Sequence, residues 1–362
     1  MMILDRIKDS LSFITSQAKI NGCSPISILI DFIKLKRNLP DLSKTEYANF
    51  QLFKATSNFR KAFLPYGLAK RYWEILNPYK NACLARNKYM SHLLLDSANI
   101  PQPKLIVYYN PEIGQETDIC KNSLTGILNA LKLSQKEKIV IKPSADSAHG
   151  YGVIVAHKIK YIENDAILSR YNGDTILLSK VLDTNNKQNE AFLIEEQVNQ
   201  NDQMNSFNSS SVNTIRIMTA LYPNREVKII AAFIKIGREG ADVDNAGSGG
   251  NIDCGVDIRT GKLYNSIEFN SWTNIANIKK HPDNNTPLEG TEIKGWKEIL
   301  CQLKSFQARL PQLKTIGWDV AITPKGPIII EINNWWDTTG QLFINKGWHK
   351  EVKDCFTAWT TK

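Results

Sequence analysis

Two strongly apolar segments near the end of the chain are separated by only a short turn, and this feature constrains the fold more than any other. Residues 317–322 read Gly-Trp-Asp-Val-Ala-Ile, residues 328–333 read Ile-Ile-Ile-Glu-Ile-Asn, and Thr-Pro-Lys-Gly-Pro joins them. Because side chains alternate along a strand, Glu331 and Asn333 share one face, and hairpin pairing can bring Asp319 near them. The chain must therefore build a sheet that presents these three polar side chains at one point.

The chemistry of these three side chains favours a metal site. Two carboxylates and an amide oxygen suit Mg²⁺, which takes hard oxygen ligands alongside phosphates and water. The alternative is that all three residues face solvent, and it fits poorly because the two strands are otherwise very apolar. We therefore predict that Asp319, Glu331 and Asn333 bind a metal ion.

A second motif joins a buried strand to a loop of small residues. The strand 139–141 is followed by Lys142, and the loop 144–152 leads into another strand. Small residues let backbone N–H groups approach phosphate oxygens closely, and a lysine adds a positive charge. The motif is not a Walker loop, because GxxxxGK[ST] is absent and the next element is a strand. On its own, a glycine-containing hairpin with a surface lysine is the commoner structure for such a pattern.

The segment 191–198 reads Ala-Phe-Leu-Ile-Glu-Glu-Gln-Val, an apolar strand that ends in hydrogen-bond acceptors. Glu195 could accept from an adenine amine, a neighbouring N–H could donate to a ring nitrogen, and Asp202 could hold ribose hydroxyls. Taken alone, the segment is also an ordinary strand end with charged residues.

Arg216 lies inside an apolar strand, where an unpaired charge would be costly. We therefore expect it to pair with a carboxylate or a phosphate, and a structural salt bridge is an equal alternative. Arg238 follows the end of the next apolar strand, and Asn245 precedes a glycine-rich stretch.

The order and spacing of these motifs resemble the ATP-grasp superfamily, and most closely the sugar-transfer-associated ATP-grasp proteins found with surface polysaccharide biosynthesis. The resemblance covers about residues 75–345, and its most specific part is an acidic residue at 319 with Glu-x-Asn twelve residues later. The matching strings are Asn87-Lys88 leading to 98–101, then 141–143, 194–196, 211–216, 243–245 with 249–250, and 316–319 with 326–327 and 331–333.

The resemblance implies ATP and Mg²⁺ as cofactors and assigns a role to each site residue. Lys88 and Lys142 would contact the ATP phosphates. The loop with Ser144, His149, Gly150 and Gly152 would close over them. Glu195 would accept from adenine, backbone at Glu196 and Val198 would border the ring, and Asp202 would bind the ribose. Mg²⁺ would be held by Asp319, Glu331 and Asn333, while Arg216, Arg238 and Asn245 would face the acyl phosphate or the substrate carboxylate.

Two features depart from the superfamily pattern. Position 87 is Asn where the superfamily commonly has Asp, and residues 1–82 read as helices instead of the usual preceding α/β domain. Residues 1–82 are therefore not expected to form the usual substrate domain.

The expected fold is α+β: an ATP-grasp fold whose two lobes clasp ATP between antiparallel sheets, with a helical N-terminal extension. We expect a helical basic region over 1–82, a first lobe with the phosphate-binding loop over 83–188, and a second lobe with the metal site and a C-terminal helix over 189–362. The pattern further predicts a strand at 175–181, a flexible polar stretch at 199–211 and a loop at 270–290.

The first hundred residues hold 15 Lys and Arg against 7 Asp and Glu, so they carry nearly all of the net charge of +9. Within them, Ser24-Pro25 begins a helix with Ile26, Ile30 and Ile33 on one face and Lys34, Lys36 and Arg37 on its polar side. Such a helix can dock on an anionic membrane or on proteins that assemble glycans. It can also pack on the protein's own body, which we favour.

The six cysteines lie at least 37 residues apart, so no CxxC spacing exists, and they read as reduced thiols. No stretch is apolar enough to span a membrane, and charged residues near the start break a signal-peptide pattern. We therefore expect a cytoplasmic protein, with peripheral contact at the inner face of the membrane as an alternative. No nucleic-acid partner is expected.

The implied activity is that of a carboxylate–amine ligase. A substrate carboxylate attacks the γ-phosphate of ATP, and an amine, or with less support a hydroxyl or thiol, displaces phosphate from the resulting acyl phosphate. The family association suggests an amino acid joined to a sugar of a surface polysaccharide. A sugar kinase that uses Asp337 as its base is the first alternative, and a non-catalytic nucleotide-binding module of a membrane-associated glycan assembly is the second.

Overall fold

The computed structural model describes residues 2–145, 152–188, 190–244, 250–272 and 274–361. Helices dominate the first hundred residues, as the sequence predicted. They are α1 (Met2–Asn21), α2 (Pro25–Asn38), α3 (Lys44–Asn49), α4 (Ser57–Ala62), α5 (Tyr66–Leu76), α6 (Tyr79–Arg86) and α7 (Lys88–Ser97). Ser24 caps α2 by accepting from Ser27 N, and Pro25 occupies the first turn of that helix.

The next part of the chain forms a mixed sheet and a small separate one. Its elements are β1 (Leu105–Tyr109), β2 (Cys120–Lys121), α8 (Leu124–Ser134), β3 (Ile139–Pro143), β4 (Ile154–Ala156), β5 (Lys158–Ile162), β6 (Asp165–Ser169), β7 (Thr175–Leu177), α9 (Leu178–Gln188) and β8 (Phe192–Glu196). One sheet has the order β2-β1-β8-β3-β4 and the other β5-β6-β7. Only β1 and β2 pair in parallel among the described strands.

The remaining elements build a large antiparallel sheet with the order β13-β12-β11-β10-β9-β14-β15. They are α10 (Asp202–Phe207), β9 (Thr214–Leu221), β10 (Val227–Ile236), β11 (Ile252–Val256), β12 (Leu263–Ser271), β13 (Asn274–Asn277), α11 (Trp296–Arg309), β14 (Thr315–Thr323), β15 (Gly326–Asn333), α12 (Gly340–Phe343) and α13 (His349–Thr360). The predicted α+β class with antiparallel sheets is confirmed.

Alternation along β14 decides which side chains enter the core. Ile316, Trp318, Val320 and Ile322 all join one apolar cluster that α11 covers. Asp319 therefore points to the opposite face of the large sheet. That face is shared between a second, aromatic-rich cluster and an open cavity.

A β-bulge sets the direction of the side chains on β15. Asp319 pairs with Glu331, but the next residue of β14, Val320, pairs with Ile329, so Ile330 is the extra residue. Ile329 and Ile332 both lie in the core as a result. Without the bulge, strict alternation from Ile329 would turn Glu331 into that core. The bulge thus places the Glu331 carboxylate beside Asp319.

Strand β8 hydrogen-bonds to β1 and β3, so it belongs to the sheet of the preceding lobe. The boundary that we expected between residues 188 and 189 separates this strand from its sheet partners. The sheet therefore extends the first lobe to about Glu196, beyond the predicted boundary. The pattern of apolar runs did not contain this information, because it shows where strands lie but not which strands pair.

Three segments differ from the sequence-based expectation. The run at 175–181 is a short strand that gives way to α9 at Leu178, because Leu178, Val181 and Leu182 are spaced for one helical face and are buried. The predicted loop at 270–290 contains β13 and the end of β12. The strands β5 and β6 were not predicted.

The prediction that the polar stretch 199–211 is flexible is also wrong. The stretch contains α10, and several of its polar residues are buried. The Gln200 amide donates to Asn208 O (2.7 Å) and Ser211 O (3.2 Å), and its Oε1 accepts from Asn213 N (3.0 Å). Polar side chains that satisfy buried backbone groups hold this segment in place.

The N-terminal helices pack on the large sheet through aromatic contacts. The Trp73 and Trp336 rings lie 5.2 Å apart, and the Phe50 and Trp272 rings 5.5 Å apart. The apolar face of α2 that we expected to pack on the body is exposed, however, because that helix is buried through Ile28 and Leu35. None of the described helices is both long and apolar enough to cross a bilayer.

Candidate active site

A cavity of about 830 Å³ opens between the mixed sheet and the large sheet. Its size suits a small-molecule ligand of the kind that enzymes bind. Charged side chains from both sheets and from the start of α7 line it, including Lys88, Lys142, Arg216, Asp319 and Glu331. Residues that are far apart in the sequence thus meet in one cleft, as the motif analysis predicted.

A bidentate ion pair forms the centre of the charged wall. Arg216 on β9 is opposite Asp319 on β14, and its Nε and Nη2 donate to the two carboxylate oxygens at 2.7 and 2.8 Å. Burial by itself raises the pKa of the Asp319 carboxyl, but Arg216 and Lys235 outweigh it and hold that pKa well below its usual range. Asp319 is therefore a carboxylate in the folded protein, and the expected partner of Arg216 is this residue.

Lys235 on β10 extends the cluster on the other side of Arg216. Its Nζ lies 3.1 Å from Asp319 Oδ1 and 4.0 Å from Asp244 Oδ1. Asp244 in turn accepts from the backbone N (2.8 Å) and the hydroxyl (2.5 Å) of Thr214. Burial works against the charge of Lys235, yet Asp319 and Asp244 together raise its pKa, so the ammonium stays charged.

Two lysines of the first lobe reach the same cleft. Lys142 Nζ is 2.7 Å from Glu195 Oε2 and donates to Ile330 O at 3.4 Å. Lys88 Nζ is 3.4 Å from Glu331 Oε1. The backbone N of Lys88 donates to Ser144 O at 2.6 Å, which ties the start of α7 to the end of β3. Both cations are thus held where a polyphosphate could replace or join their carboxylate partners.

The three predicted metal ligands come together. Asn333 Nδ2 lies 3.4 Å from Asp319 Oδ2, Glu331 pairs in register with Asp319, and all three residues line the cavity. No group of three or more His, Cys, Asp or Glu side chains gathers as a metal site in the described ranges. This donor set of two carboxylates and one amide fits Mg²⁺, provided that phosphate or water oxygens complete its coordination.

The end of β8 borders the cavity opposite the metal candidates. Glu196 and Val198 line it there, together with apolar side chains that include Val140 and Val155. This wall suits a planar base, and the role of Glu196 and Val198 beside the adenine ring stays a prediction. Glu195, the predicted acceptor of the adenine amine, also lines the cavity, but its carboxylate is paired with Lys142 at 2.7 Å.

Two predicted site residues do not reach the cavity. The Arg238 guanidinium donates to Asp283 (2.5 Å from Nη2) and Glu268 (2.5 Å from Nη1), and Arg238 is absent from the cavity lining that the described residues define. Asp202 is exposed in the first turn of α10 and is likewise absent from that lining. Spacing along the chain placed both residues near the site, but the turns after their strands direct them elsewhere.

The predicted phosphate loop is described only at its ends. Ser144 is buried, and its hydroxyl lies 3.4 Å from Asn87 Oδ1. Gly152 has a φ of +75°, and a Cβ there would lie 2.8 Å from Pro143 Cγ, so glycine is required on both counts. The calls on His149, Gly150 and Asn245 lie outside the described residues.

Three acidic or basic residues of the cavity were missed by the motif analysis. Lys235, Asp244 and Asp253 all line it, and Lys235 and Asp253 lie inside apolar strands. The sequence contains a signal for Lys235 and Asp253, because each is a charged residue inside an apolar strand, as Arg216 is.

Part of the cavity wall is aromatic. Phe233 and Phe269 come from the large sheet, Trp336 follows it, and Tyr66 belongs to the N-terminal helices. Trp272 completes this group and packs against Phe269 with ring centroids 5.2 Å apart. The N-terminal helices thus contribute directly to the shape of the site.

A family model described as sugar-transfer associated ATP-grasp matches residues 67–355 of this chain. The match includes α5 through most of α13 and every predicted site residue. No curated protein matches the chain significantly.

Solved structures that are similar to this chain are distant. D-cycloserine synthetase is 10% identical over 82% of this chain and 78% of its own, with a TM-score of 0.43. D-alanyl-alanine synthetase A from Vibrio cholerae is 14% identical over 77% and 66%, with a TM-score of 0.44. N5-carboxyaminoimidazole ribonucleotide synthetase in its ADP complex is 12% identical over 71% and 46%, with a TM-score of 0.38, so this chain spans less than half of its length. This similarity is too distant to indicate a substrate.

Proposed function

The chain belongs to the sugar-transfer associated ATP-grasp family, and from this premise we propose that it is an ATP-dependent ligase that joins a carboxylate to an amine. Its mixed sheet and its large sheet would be the central sheets of the two ATP-grasp lobes. The observation that carries the proposal is the charged wall of the cavity, in which lysines of one lobe meet the carboxylates of the other.

Lys88 and Lys142 would bind the ATP phosphates in place of their present carboxylate partners. Both side chains are about nine-tenths buried, so their charges act in a medium of low polarity and attract anions strongly. Glu196 and Val198 would border the adenine ring at the end of β8. In this arrangement Asp319 and Glu331 would be the carboxylates on the side of the γ-phosphate.

Arg216 would stabilise the charge that develops when a substrate carboxylate attacks the γ-phosphate. Its guanidinium carries five N–H donors, so it can donate to a phosphate or carboxylate while it remains paired with Asp319. Asp319, Glu331 and Asn333 would hold Mg²⁺, which neutralises phosphate charge when it is bound. No protein nucleophile is required for this chemistry, and the products of the first step are an acyl phosphate and ADP.

We further propose that the substrates are an amino acid and a sugar of a surface polysaccharide. The aromatic wall supports this, because aromatic rings pack well on the apolar faces of sugar rings. The association of the family with sugar transfer supports it as well. A sugar kinase is the alternative: Asp337 lines the cavity, although its Oδ1 already accepts from Thr339 N at 2.8 Å.

A peripheral contact with an anionic membrane from the cytoplasmic side is part of the proposal. The side chains of Ile26, Leu29, Ile30 and Ile33 are exposed on one face of α2, beside basic residues. Replacing Lys34, Lys36 and Arg37 with Gln should lower liposome binding at low salt, since each basic residue near such a surface contributes about 1 kcal/mol. If the wild type does not bind anionic liposomes, this part of the proposal is wrong.

The decisive experiment measures three products from ATP, Mg²⁺ and a mixed pool of amino acids and uronic acids. With hydroxylamine as a trap, a ligase gives ADP and acyl hydroxamate, whereas a kinase gives ADP and a phosphorylated sugar. We expect hydroxamate, and we expect Lys142→Ala to weaken ATP binding without unfolding the protein. ADP release with a phosphorylated sugar and no hydroxamate would favour the kinase, and no ATP turnover with any mixture would favour a non-catalytic module.

A further inference from the structure

Asp253 is a buried acid that lines the cavity, and among the described residues its carboxylate has no hydrogen-bond partner. It lies in the middle of β11 between two buried residues, and its side chain is 0% exposed. Neither of its carboxylate oxygens has a hydrogen-bond partner within the described part of the chain. Buried polar groups in folded proteins are almost always hydrogen-bonded, so this exception needs an explanation.

The surrounding charges do not balance that of Asp253. Lys235 is its register partner on β10, but the Lys235 ammonium is directed to Asp319 and Asp244. Arg216 is likewise engaged with Asp319. If every group were ionised, three carboxylates would face two cations, and Asp253 would be the uncompensated one. With Asp253 ionised, the cluster would therefore be complementary to one further positive charge, such as a bound ammonium group.

Burial raises the pKa of the Asp253 carboxyl well above its usual range, and Asp244 adds to the effect while Lys235 opposes it. An acid in these surroundings has a cost in stability that an apolar residue would avoid. Stability that is given up at one position in a cavity wall is common where the residue serves function. Within the described ranges, no hydrogen bond gives Asp253 a role in holding the fold.

Its place in the sheet relates Asp253 to the proposed reaction. Asp319 and Glu331 lie on β14 and β15, Arg216 lies on β9, and β10 and β11 follow on the other side. Three strand spacings, roughly 14 Å, separate β11 from β14. An acyl phosphate bound at Arg216 would have the metal candidates on one side and Asp253 on the other. The acceptor amine would approach from the side of Asp253.

We propose that Asp253 binds the ammonium group of the acceptor amine and takes its proton when the amine attacks the acyl phosphate. This inference rests on the ligase function proposed above and adds the acceptor subsite to it. The acceptor is thereby assigned to the class of amines that are charged at neutral pH, such as an amino acid or an amino sugar.

The step is balanced as follows. The Asp253 carboxylate accepts one proton from the ammonium nitrogen, and the freed electron pair forms the bond to the acyl carbon. The carbon–oxygen bond to the phosphoryl group breaks, and phosphate leaves with the second proton of the nitrogen. The amide keeps the third proton, and Asp253 is left as a neutral carboxylic acid. Its buried position favours that neutral form.

Asp253→Asn tests the proposal when two acceptors are compared. Hydroxylamine is largely uncharged at neutral pH and needs neither an ammonium site nor a base, whereas glucosamine and the amino acids need both. We expect the variant to form hydroxamate at a rate close to that of the wild type. Its rate of amide formation from these amines should fall by about 100-fold or more. Asp253→Glu, which keeps the carboxylate, should retain more amide formation than Asp253→Asn.

The possible outcomes separate the two proposals. If the wild type forms no hydroxamate, the ligase function is wrong. If the wild type forms hydroxamate but no amide from any of these amines, or if Asp253→Asn forms amide at the wild-type rate, the role of Asp253 is wrong. Loss of hydroxamate and amide together in Asp253→Asn would also overturn it, since the residue would then act on the first step.

A stability measurement supplies a readout that needs no substrate. Asp253→Asn removes no hydrogen bond, so its Tm should stay within about 2 °C of the wild type. Asp244→Asn is the matched control from the same cluster, because Asp244 accepts two hydrogen bonds from Thr214. We expect the control to lower Tm by more than Asp253→Asn does. A larger loss in Asp253→Asn would show that the acid has a structural role and would contradict the proposal.

Discussion

Of the two arginines that the sequence singled out, one lies inside β9 and the other lies just beyond the end of the neighbouring strand β10, and they belong to different regions. Arg216 lies inside β9, with its side chain in the cavity and its partner Asp319 only 6% exposed. Arg238 follows the end of β10, and its partners Asp283 and Glu268 have side chains that are 17% and 22% exposed. The inner cluster, formed by Arg216, Asp319 and Lys235, is a buried part of the cavity wall. The outer cluster, formed by Arg238, Asp283 and Glu268, is partly exposed and links a loop to the large sheet.

The difference teaches what a charge inside a strand means. Ile215 and Ile217 on either side of Arg216 are in the core, so its side chain must emerge on the opposite face, where β14 supplies the carboxylate. Arg238 has no such constraint, because residues beyond a strand end can turn to any nearby acid. Strand interiors therefore direct a charge to a defined place, whereas strand ends do not.

The largest effect that would sharpen this comparison is on stability. Asp319→Ala leaves Arg216 and Lys235 buried without their shared carboxylate, so the free energy of unfolding should fall by about 3–5 kcal/mol. Asp283→Ala, the matched change in the outer cluster, should cost about 1 kcal/mol because water can solvate Arg238. Urea denaturation of both variants at neutral pH measures this. Equal losses would show that the two clusters do not differ in kind.

The next effect is on turnover. Glu331→Gln keeps the shape of the side chain but removes its charge, and Mg²⁺ prefers charged oxygen ligands. Turnover should fall about 100-fold or more, a loss of roughly 3 kcal/mol in transition-state stabilisation. Asn333→Asp is the companion variant: it adds a charge at the same point, so it should keep metal binding and impair phosphate placement.

Mg²⁺-dependent ADP release and melting temperatures of these two variants check the prediction. The fold should survive both changes, because neither alters side-chain volume much. If Glu331→Gln keeps full Mg²⁺-dependent turnover, the assignment of these residues to the metal site is wrong. The proposal that phosphate binds at the charged wall of the cavity then loses support.

A smaller effect is expected in the pH dependence of stability, through Asp283 of the outer cluster. The Arg238 guanidinium lowers the pKa of Asp283 from 3.8 to about 2 in the folded protein. A depressed pKa contributes stability that is fully present above the unfolded value and is lost as the pH falls through the folded one. Asp283→Asn should therefore lose less stability than the wild type between about pH 4 and pH 2. Identical acid curves would mean that this pair contributes nothing.

The smallest effect is expected for activity in the outer cluster. Arg238→Lys keeps the positive charge but not the forked contacts to Asp283 and Glu268. Because Arg238 is remote from the cavity lining, kcat and KM should change less than about twofold, while the unfolding free energy falls by about 1 kcal/mol. Arg216→Lys is the comparison, and we expect it to reduce kcat strongly. If Arg238→Lys lowers kcat as much as Arg216→Lys does, Arg238 acts in the active site after all.

Much of the site was predictable where residue spacing has one structural outcome. The separation of Asp319 from Glu331 by a short turn allows only a hairpin, so their meeting was correctly predicted. Arg216 was correctly expected to find an anionic partner for the same reason of strand geometry. Asp202 was misplaced because residues 197–201 lead out of β8 into α10, and a separation of seven residues from Glu195 does not fix a direction through this connection.

The sequence by itself determined the order of the apolar strands, the polar triad of the hairpin and the need of Arg216 for a partner, since these follow from local periodicity and the cost of burying charge. Only the tertiary structure decided that a bulge at Ile330 turns Glu331 into the cleft, and that β10 and β11 bring Lys235 and Asp253 to the same wall. Register and strand order arise from packing between segments that are distant in the chain. No local sequence pattern encodes register or strand order. Only some of the charged residues of the cavity could therefore be predicted from the sequence.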